Sequence, residues 1–264
     1  MTIYSPADRE AILCDIMALA KASEDIIAAI LVGSGAVGFL DEYSDLDFYM
    51  VVNREENIDK AMHYISGGIK EQLQLLRFAQ LEDRKLQVYL TSNFLEIDIG
   101  YVSFDQISAL RKQWKILFDK TGIVDAAMCR SWEQRCKKNH AGETVVDYAG
   151  KAWHFLFHAA VAIRRGQVWR SVAEMDIARN MLIEVMGLRH ALEPKRYRAV
   201  DRLPAEELSL LEKTLATCLS REALSECLNC LVEATYDELE TYPGIQIPVG
   251  RQQVREYIQA VLGA

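Results

Sequence analysis

The stretch IIAAILVGSGAVGFLDEYSDLDFYMVV, residues 26–52, decides the fold. Ile26 to Val32 is a short apolar run that stops at Gly33, and Leu46 to Val52 is a second, so both read as buried strands. Between them Gly33-Ser34-Gly35-Ala36-Val37-Gly38 matches G-x-G-x-x-G letter for letter, the fingerprint of a dinucleotide-binding turn. In that fold the third glycine lies inside a crossover helix of several turns. Here only Phe39 to Ser44 separate Gly38 from Asp45, and at about 1.5 Å of rise per residue they make less than two turns. The dinucleotide reading fails on connection length. A P-loop fails because no Lys-Ser or Lys-Thr follows the glycines. What remains is a strand, a Gly-Ser corner, a short polar loop and a strand that opens Ser44-Asp45-Leu46-Asp47.

Side chains alternate along a strand, so Asp45 and Asp47 share one face while Leu46 and Phe48 enter the core. Two carboxylates in one small volume repel, and one would be pushed towards its neutral form unless a cation lies between them. Mg²⁺ takes a few carboxylates together with phosphate oxygens and water, which fits this pair and a bound triphosphate. A third acid comes from another strand: in Phe94 to Gly100, Glu96 and Asp98 share one face and Leu95, Ile97 and Ile99 the other.

Outward from the core stretch, Ser5-Pro6 supplies a cap and a first-turn proline to a helix over 7–22. The segment from Asn57 to about Gln80 reads as helical, with Gly67-Gly68 as a place where it divides. Leu86 to Leu90 and Phe94 to Val102 flank Thr91-Ser92-Asn93 as a hairpin, and Trp114 to Phe118 is a further strand. From Val124 onward the periodicity is helical, with breaks near Gly142, Gly166, Gly187 to Pro194, and Pro204. The expected fold is α+β, with a mixed-sheet domain over 1–122 and an all-helical domain over 123–264.

Of 264 residues half are hydrophobic, enough for sizeable cores, and the formal net charge is −8. An acidic surface disfavours general binding to nucleic acid and suits a cationic or neutral acceptor. Six cysteines lack the regular framework of a secreted scaffold. No leader-like segment or membrane-length apolar run occurs, so a cytoplasmic protein is expected.

The Gly33-Ser34 corner followed ten residues later by Asp45-Leu46-Asp47 on a strand resembles the signature of the nucleotidyltransferase superfamily. With Asp98 on a later strand and a helical second half, the chain looks like the antibiotic nucleotidyltransferases, of which the aminoglycoside and lincosamide groups are the most similar. The resemblance is strongest over residues 30–52. It implies transfer of AMP from ATP, with Mg²⁺, to a hydroxyl of a small molecule and release of pyrophosphate. It makes Asp98 the third carboxylate, as metal ligand or as the base that takes the acceptor's proton, with Glu96 in reserve. Gly33 would let the backbone approach the phosphates, and Ser34 would donate its hydroxyl to one of them.

Two other readings compete: a non-catalytic nucleotide-binding or toxin-antitoxin module of the same fold, and a nucleotidyltransferase acting on protein or RNA. A homodimer is compatible with each. Cys227 and Cys230 have knuckle spacing but lie in a helical run without a second pair, so core packing is the simpler reading. His154 and His158, which lack the intervening glutamate of a zinc helix, read as core or surface histidines, and the aromatic group Trp153, Phe155, Phe157 and Trp169 as helix packing. Basic clusters at Arg164-Arg165 to Arg170 and at Lys195 to Arg198 are candidates for triphosphate contact or for plain solvation.

Overall fold

The computed structural model of the chain describes residues 3–39, 41–137, 140–192 and 197–263. The chain divides into two compact units, Met1–Lys138 and Asn139–Ala264.

Helix α1 (Pro6–Ala22) starts where expected. The Ser5 side chain accepts the Asp8 N–H and the Asp8 carboxylate accepts the Ser5 N–H at 2.8 Å, a reciprocal pairing that satisfies two orphan donors. Strands β1 (Ile26–Leu31) and β2 (Leu46–Val52) follow, joined through a 3₁₀ turn over Gly33–Val37. Helix α2 (Ile58–Gln72), β3 (Leu75–Leu81), β4 (Leu86–Thr91), β5 (Glu96–Ser103), β6 (Lys115–Asp119) and α3 (Val124–Lys137) complete the first unit. The six strands form one sheet in the order β3-β4-β5-β2-β1-β6. β2 and β5 run parallel and the other neighbours antiparallel, so the sheet is mixed.

One difference from expectation lies over 57–80, where a single helical region was read. The helix ends at Gln72 and the rest is β3, which pairs with β4. Nor does Gly67-Gly68 divide the helix. A side chain at Gly68 would come within 2.7 Å of Leu19, so glycine there lets α1 and α2 pack closely. The expected break near Gly142 is also absent, since α4 (His140–Arg164) runs through it.

One sheet face packs on α1 and α2. Leu46, Phe48, Ile97 and Ile99, each at most 1 % exposed, join Ile16, Ala20, Met62 and Ile65 in this core. Full burial of each such side chain contributes about 1.5–3 kcal/mol, which locks the strand register that leaves the aspartates on the other face. On that other face Ala28, Ile30 and Val51 are covered by Ala109, Val124 and Met128. This contact places α3 in the first unit, whose end at Lys138 lies sixteen residues past the boundary that periodicity suggested at 122/123.

The elements described in the second unit are all helical: α4, α5 (Val168–Arg189), a 3₁₀ turn over Val200–Arg202, α6 (Ala205–Glu212), α7 (Arg221–Glu240) and α8 (Arg251–Leu262). Its core is apolar, and Arg189 ties α5 to Glu207 of α6 at 3.0 Å and to the buried Glu238 of α7 at 2.7 Å. Among the described residues no helix is long and apolar enough to cross a membrane.

Candidate active site

The parallel pairing of β2 with β5 sets Asp47 directly opposite Asp98, as it sets Leu46 opposite Ile97 and Phe48 opposite Ile99. The two apolar pairs are buried, so the two carboxylates emerge side by side on the reverse face. Asp45 stands exposed one residue before β2, and Glu96 is the exposed first residue of β5. Burial, followed by the charges of Asp47, Glu96 and Asp45, pushes the Asp98 carboxyl up to about 6. The three expected aspartates are thus within electrostatic reach of one another.

The corner that follows β1 is built around Asp47. The Val32 N–H donates to the Asp47 carbonyl at 2.9 Å. Gly33 has φ +62°, and a Cβ there would lie 2.5 Å from Asp47 Oδ2. Glycine is needed at this position twice over, for its left-handed backbone and for the space the carboxylate occupies. Next in the turn, the Ser34 Oγ is buried without a hydrogen-bond partner, as is Asp98 Oδ1. An unpaired buried hydroxyl costs about 1–3 kcal/mol, and a bound ligand, ion or water is one way in which such a group is satisfied.

These observations bear on the expected Mg²⁺. Among the described residues no three His, Cys, Asp or Glu side chains are arranged as a ready ion cage. Mg²⁺ does not require one, because it is held through one or two carboxylates plus substrate phosphates and water. Hard carboxylate oxygens, a mutual repulsion that a cation would relieve, and an orphaned Asp98 oxygen all fit that donor set.

Sequence reasoning missed Arg9. It is 4 % exposed on α1, its Nη1 donates to the carbonyls of Asp41 at 3.2 Å and Ser44 at 2.8 Å, and its guanidinium lies 3.9 Å from the Phe39 ring centroid. Phe39 has φ +59°, a left-handed conformation that costs a non-glycine residue about 1–2 kcal/mol. The cation stacked on its ring returns about 0.5–2 kcal/mol. The signal was present: Arg9 falls on the stripe of Leu13, Ile16 and Ala20, the apolar side of α1.

The remaining candidates lie in the second unit. Cys227 is buried in its core, as expected, and Trp153, Phe155 and Phe157 pack against that core. Trp169 does not, being 78 % exposed. His154 and His158 sit with ring centroids 4.1 Å apart, and Arg170 approaches His158 and Glu174 at 3.4 Å. Arg164 and Arg165 are exposed, and Lys195 and Arg196 fall outside the described residues.

A family model described as streptomycin adenylyltransferase matches residues 8–200, nearly three quarters of the chain. The chain belongs to the streptomycin adenylyltransferase family. It is therefore an adenylyltransferase of the nucleotidyltransferase superfamily, as the Gly-Ser corner and the paired aspartates implied. No curated protein is similar enough in sequence to count as a relative. Among solved structures, an aminoglycoside 6-adenyltransferase from Bacillus subtilis is similar over 99 % of this chain and 100 % of its own, with 11 % identity and a TM-score of 0.40. A nucleotidyltransferase-like protein from Exiguobacterium sibiricum is similar over 87 % of this chain and 74 % of its own, also with 11 % identity and a TM-score of 0.40. Membership in the adenylyltransferase family rests on the match over 8–200, not on these two structures.

Proposed function

We propose that this adenylyltransferase moves AMP from Mg²⁺-bound ATP to a hydroxyl of an aminoglycoside antibiotic, releasing pyrophosphate, with Asp45, Asp47 and Asp98 as its carboxylates. The register that pairs Asp47 with Asp98 beside the Gly33 corner is the observation that carries this reading. The family's streptomycin model supports the acceptor class. The formal charge of −8 suits a polycationic acceptor.

In this reading Gly33 admits the phosphates close to the backbone, and Ser34 Oγ, which lacks a protein partner, donates to one of them. Asp45 and Asp47 would hold the Mg²⁺, which supplies charge compensation at the α-phosphate and at the departing pyrophosphate. Asp98, half-buried and opposite Asp47, takes the acceptor's hydroxyl proton, and the exposed Glu96 serves to keep negative charge around it. The acceptor oxygen attacks the α-phosphorus in line, the bond from that phosphorus to the β-phosphate oxygen breaks, and pyrophosphate leaves with the electron pair. Most of the acceleration comes from positioning and electrostatics, so few groups suffice. We place the reaction in the cytoplasm, where ATP is supplied and the six cysteines, unpaired in the structure, stay reduced.

The test is incubation with ATP, Mg²⁺ and single aminoglycosides or lincosamides, reading pyrophosphate and the mass of the drug. Streptomycin or another aminoglycoside should gain one adenylyl group. Turnover with lincosamides alone would move the acceptor to that class. Turnover only with protein or RNA, or ATP binding without turnover on any acceptor, would refute the proposal.

A further inference from the structure

We infer that Arg9 is a positioning residue for this carboxylate site, acting through the peptide that joins Ser44 to Asp45; the inference rests on the proposed role of Asp45 and Asp47. The Ser44 carbonyl belongs to the same peptide plane as the Asp45 nitrogen. It receives two side-chain donors from the start of the chain, Arg9 Nη1 at 2.8 Å and the Tyr4 hydroxyl at 3.2 Å. Fixing that plane fixes the Asp45 Cα, and two residues on it sets the entry of Asp47 into β2.

The preceding residues are held in the same way. The Asp41 carboxylate closes its own turn by accepting the Tyr43 N–H at 2.9 Å and the Ser44 hydroxyl at 3.3 Å. Its carbonyl accepts from Arg9 Nη1 at 3.2 Å. Phe39, in its left-handed conformation, lies under the Arg9 guanidinium. One planar cation thus grips three points of the connection from the Gly-Ser corner to Asp45. A buried guanidinium carries a desolvation cost, and here Nε remains buried without a partner. An apolar residue would fill a site between a helix and a loop at lower cost, so the guanidinium's use lies in bridging two carbonyls while stacking on a ring, which a lysine ammonium does poorly.

Arg9→Met keeps the stem and removes the fork, and Arg9→Lys keeps charge and one donor group. Each would be compared with wild type by turnover on an accepted aminoglycoside and by amide hydrogen exchange. We expect Arg9→Met to lower kcat at least about tenfold, since small misplacements of reacting groups cost that much or more, while KM for ATP stays within about threefold. Exchange should accelerate at residues 41–47 and stay unchanged in β1, β4 and β5, which a general loss of stability would not produce. A kcat loss below about tenfold overturns the inference, and so does acceleration spread over the whole sheet. Should Arg9→Met fail to fold, Arg9→Lys is read by the same two measures. Asp47→Asn, run alongside, separates the failures: if it stays active the carboxylate assignment is wrong, whereas an inactive Asp47→Asn beside a fully active Arg9→Met refutes only the role of Arg9.

Discussion

In the proposed mechanism, Asp98 is where chemistry and stability meet. Its carboxyl is pushed up to about 6 by burial and by Asp47, Glu96 and Asp45, from an unfolded value of about 3.9. A raised carboxyl favours the folded state when protonated. Its stabilising contribution is therefore complete below about pH 4 and is lost as the pH rises through about 6. In protein freed of metal and nucleotide, Asp98→Asn should consequently raise the unfolding midpoint at pH 8. After allowance for solvent screening of a half-exposed group, the gain is of the order of 1 kcal/mol. Thermal unfolding at pH 8 and pH 4 checks this, because the difference between variant and wild type should close at the lower pH. A variant midpoint equal to that of wild type at both pH values would mean that burial and the neighbouring acids do not raise this carboxyl.

The acidic residues were legible in the sequence because two periods coincide: an alternation of two places Asp45 with Asp47 and Glu96 with Asp98, and both strands have an unbroken apolar face. The Gly33-Ser34 corner was visible as a glycine-rich turn, and the connection length excluded the dinucleotide reading of it. The place of Arg9 on the apolar stripe of α1 was visible, but its partners were not, since they lie on a loop that returns to α1 more than thirty residues later.

Among the elements, β3 is the lesson. Leu75 to Leu81 lies at the edge of the sheet, where only one face and one neighbour constrain it, and its partly exposed sequence continues the pattern of α2 well enough to pass for helix. Beyond its ladder with β4, a polar network centred on a buried glutamine, which no pattern reveals, joins it to its neighbours. Gln87 of β4, with no exposed surface, donates from Nε2 to the Met62 carbonyl of α2 at 2.9 Å and to Gln80 of β3 at 2.8 Å. Its Oε1 accepts the hydroxyls of Tyr89 at 2.8 Å and Tyr101 at 2.7 Å. Burial, with the neighbouring Tyr89, holds the Tyr101 phenol far above its usual range, so both tyrosines act as neutral donors. Gln87→Leu preserves the volume and strands several buried polar groups. At about 1–3 kcal/mol for each, urea unfolding should show a loss of at least about 3 kcal/mol in the sheet transition. A loss under about 1 kcal/mol would show that the network does not hold β3 and α2 to β4.

On the scale of the whole molecule, two compact units each carry their own core, one mixed sheet under two helices and one helical bundle. The change of hydrophobic period after residue 122 announced the two kinds of architecture. It could not announce that α3 packs on the sheet, because an amphipathic helix does not state which apolar face it will cover. The family match covers the first unit from residue 8 and runs to residue 200, before α6. The central claim, that the acids facing one another across β2 and β5 carry the transfer of AMP, concerns the first unit alone. It is tested most directly by steady-state turnover of Asp47→Ala and Asp45→Ala with ATP, Mg²⁺ and an accepted aminoglycoside, alongside their unfolding curves. The account predicts a loss of at least about a thousandfold in kcat, with a cooperative unfolding transition retained in both variants. Turnover within about tenfold of wild type in either variant would contradict it.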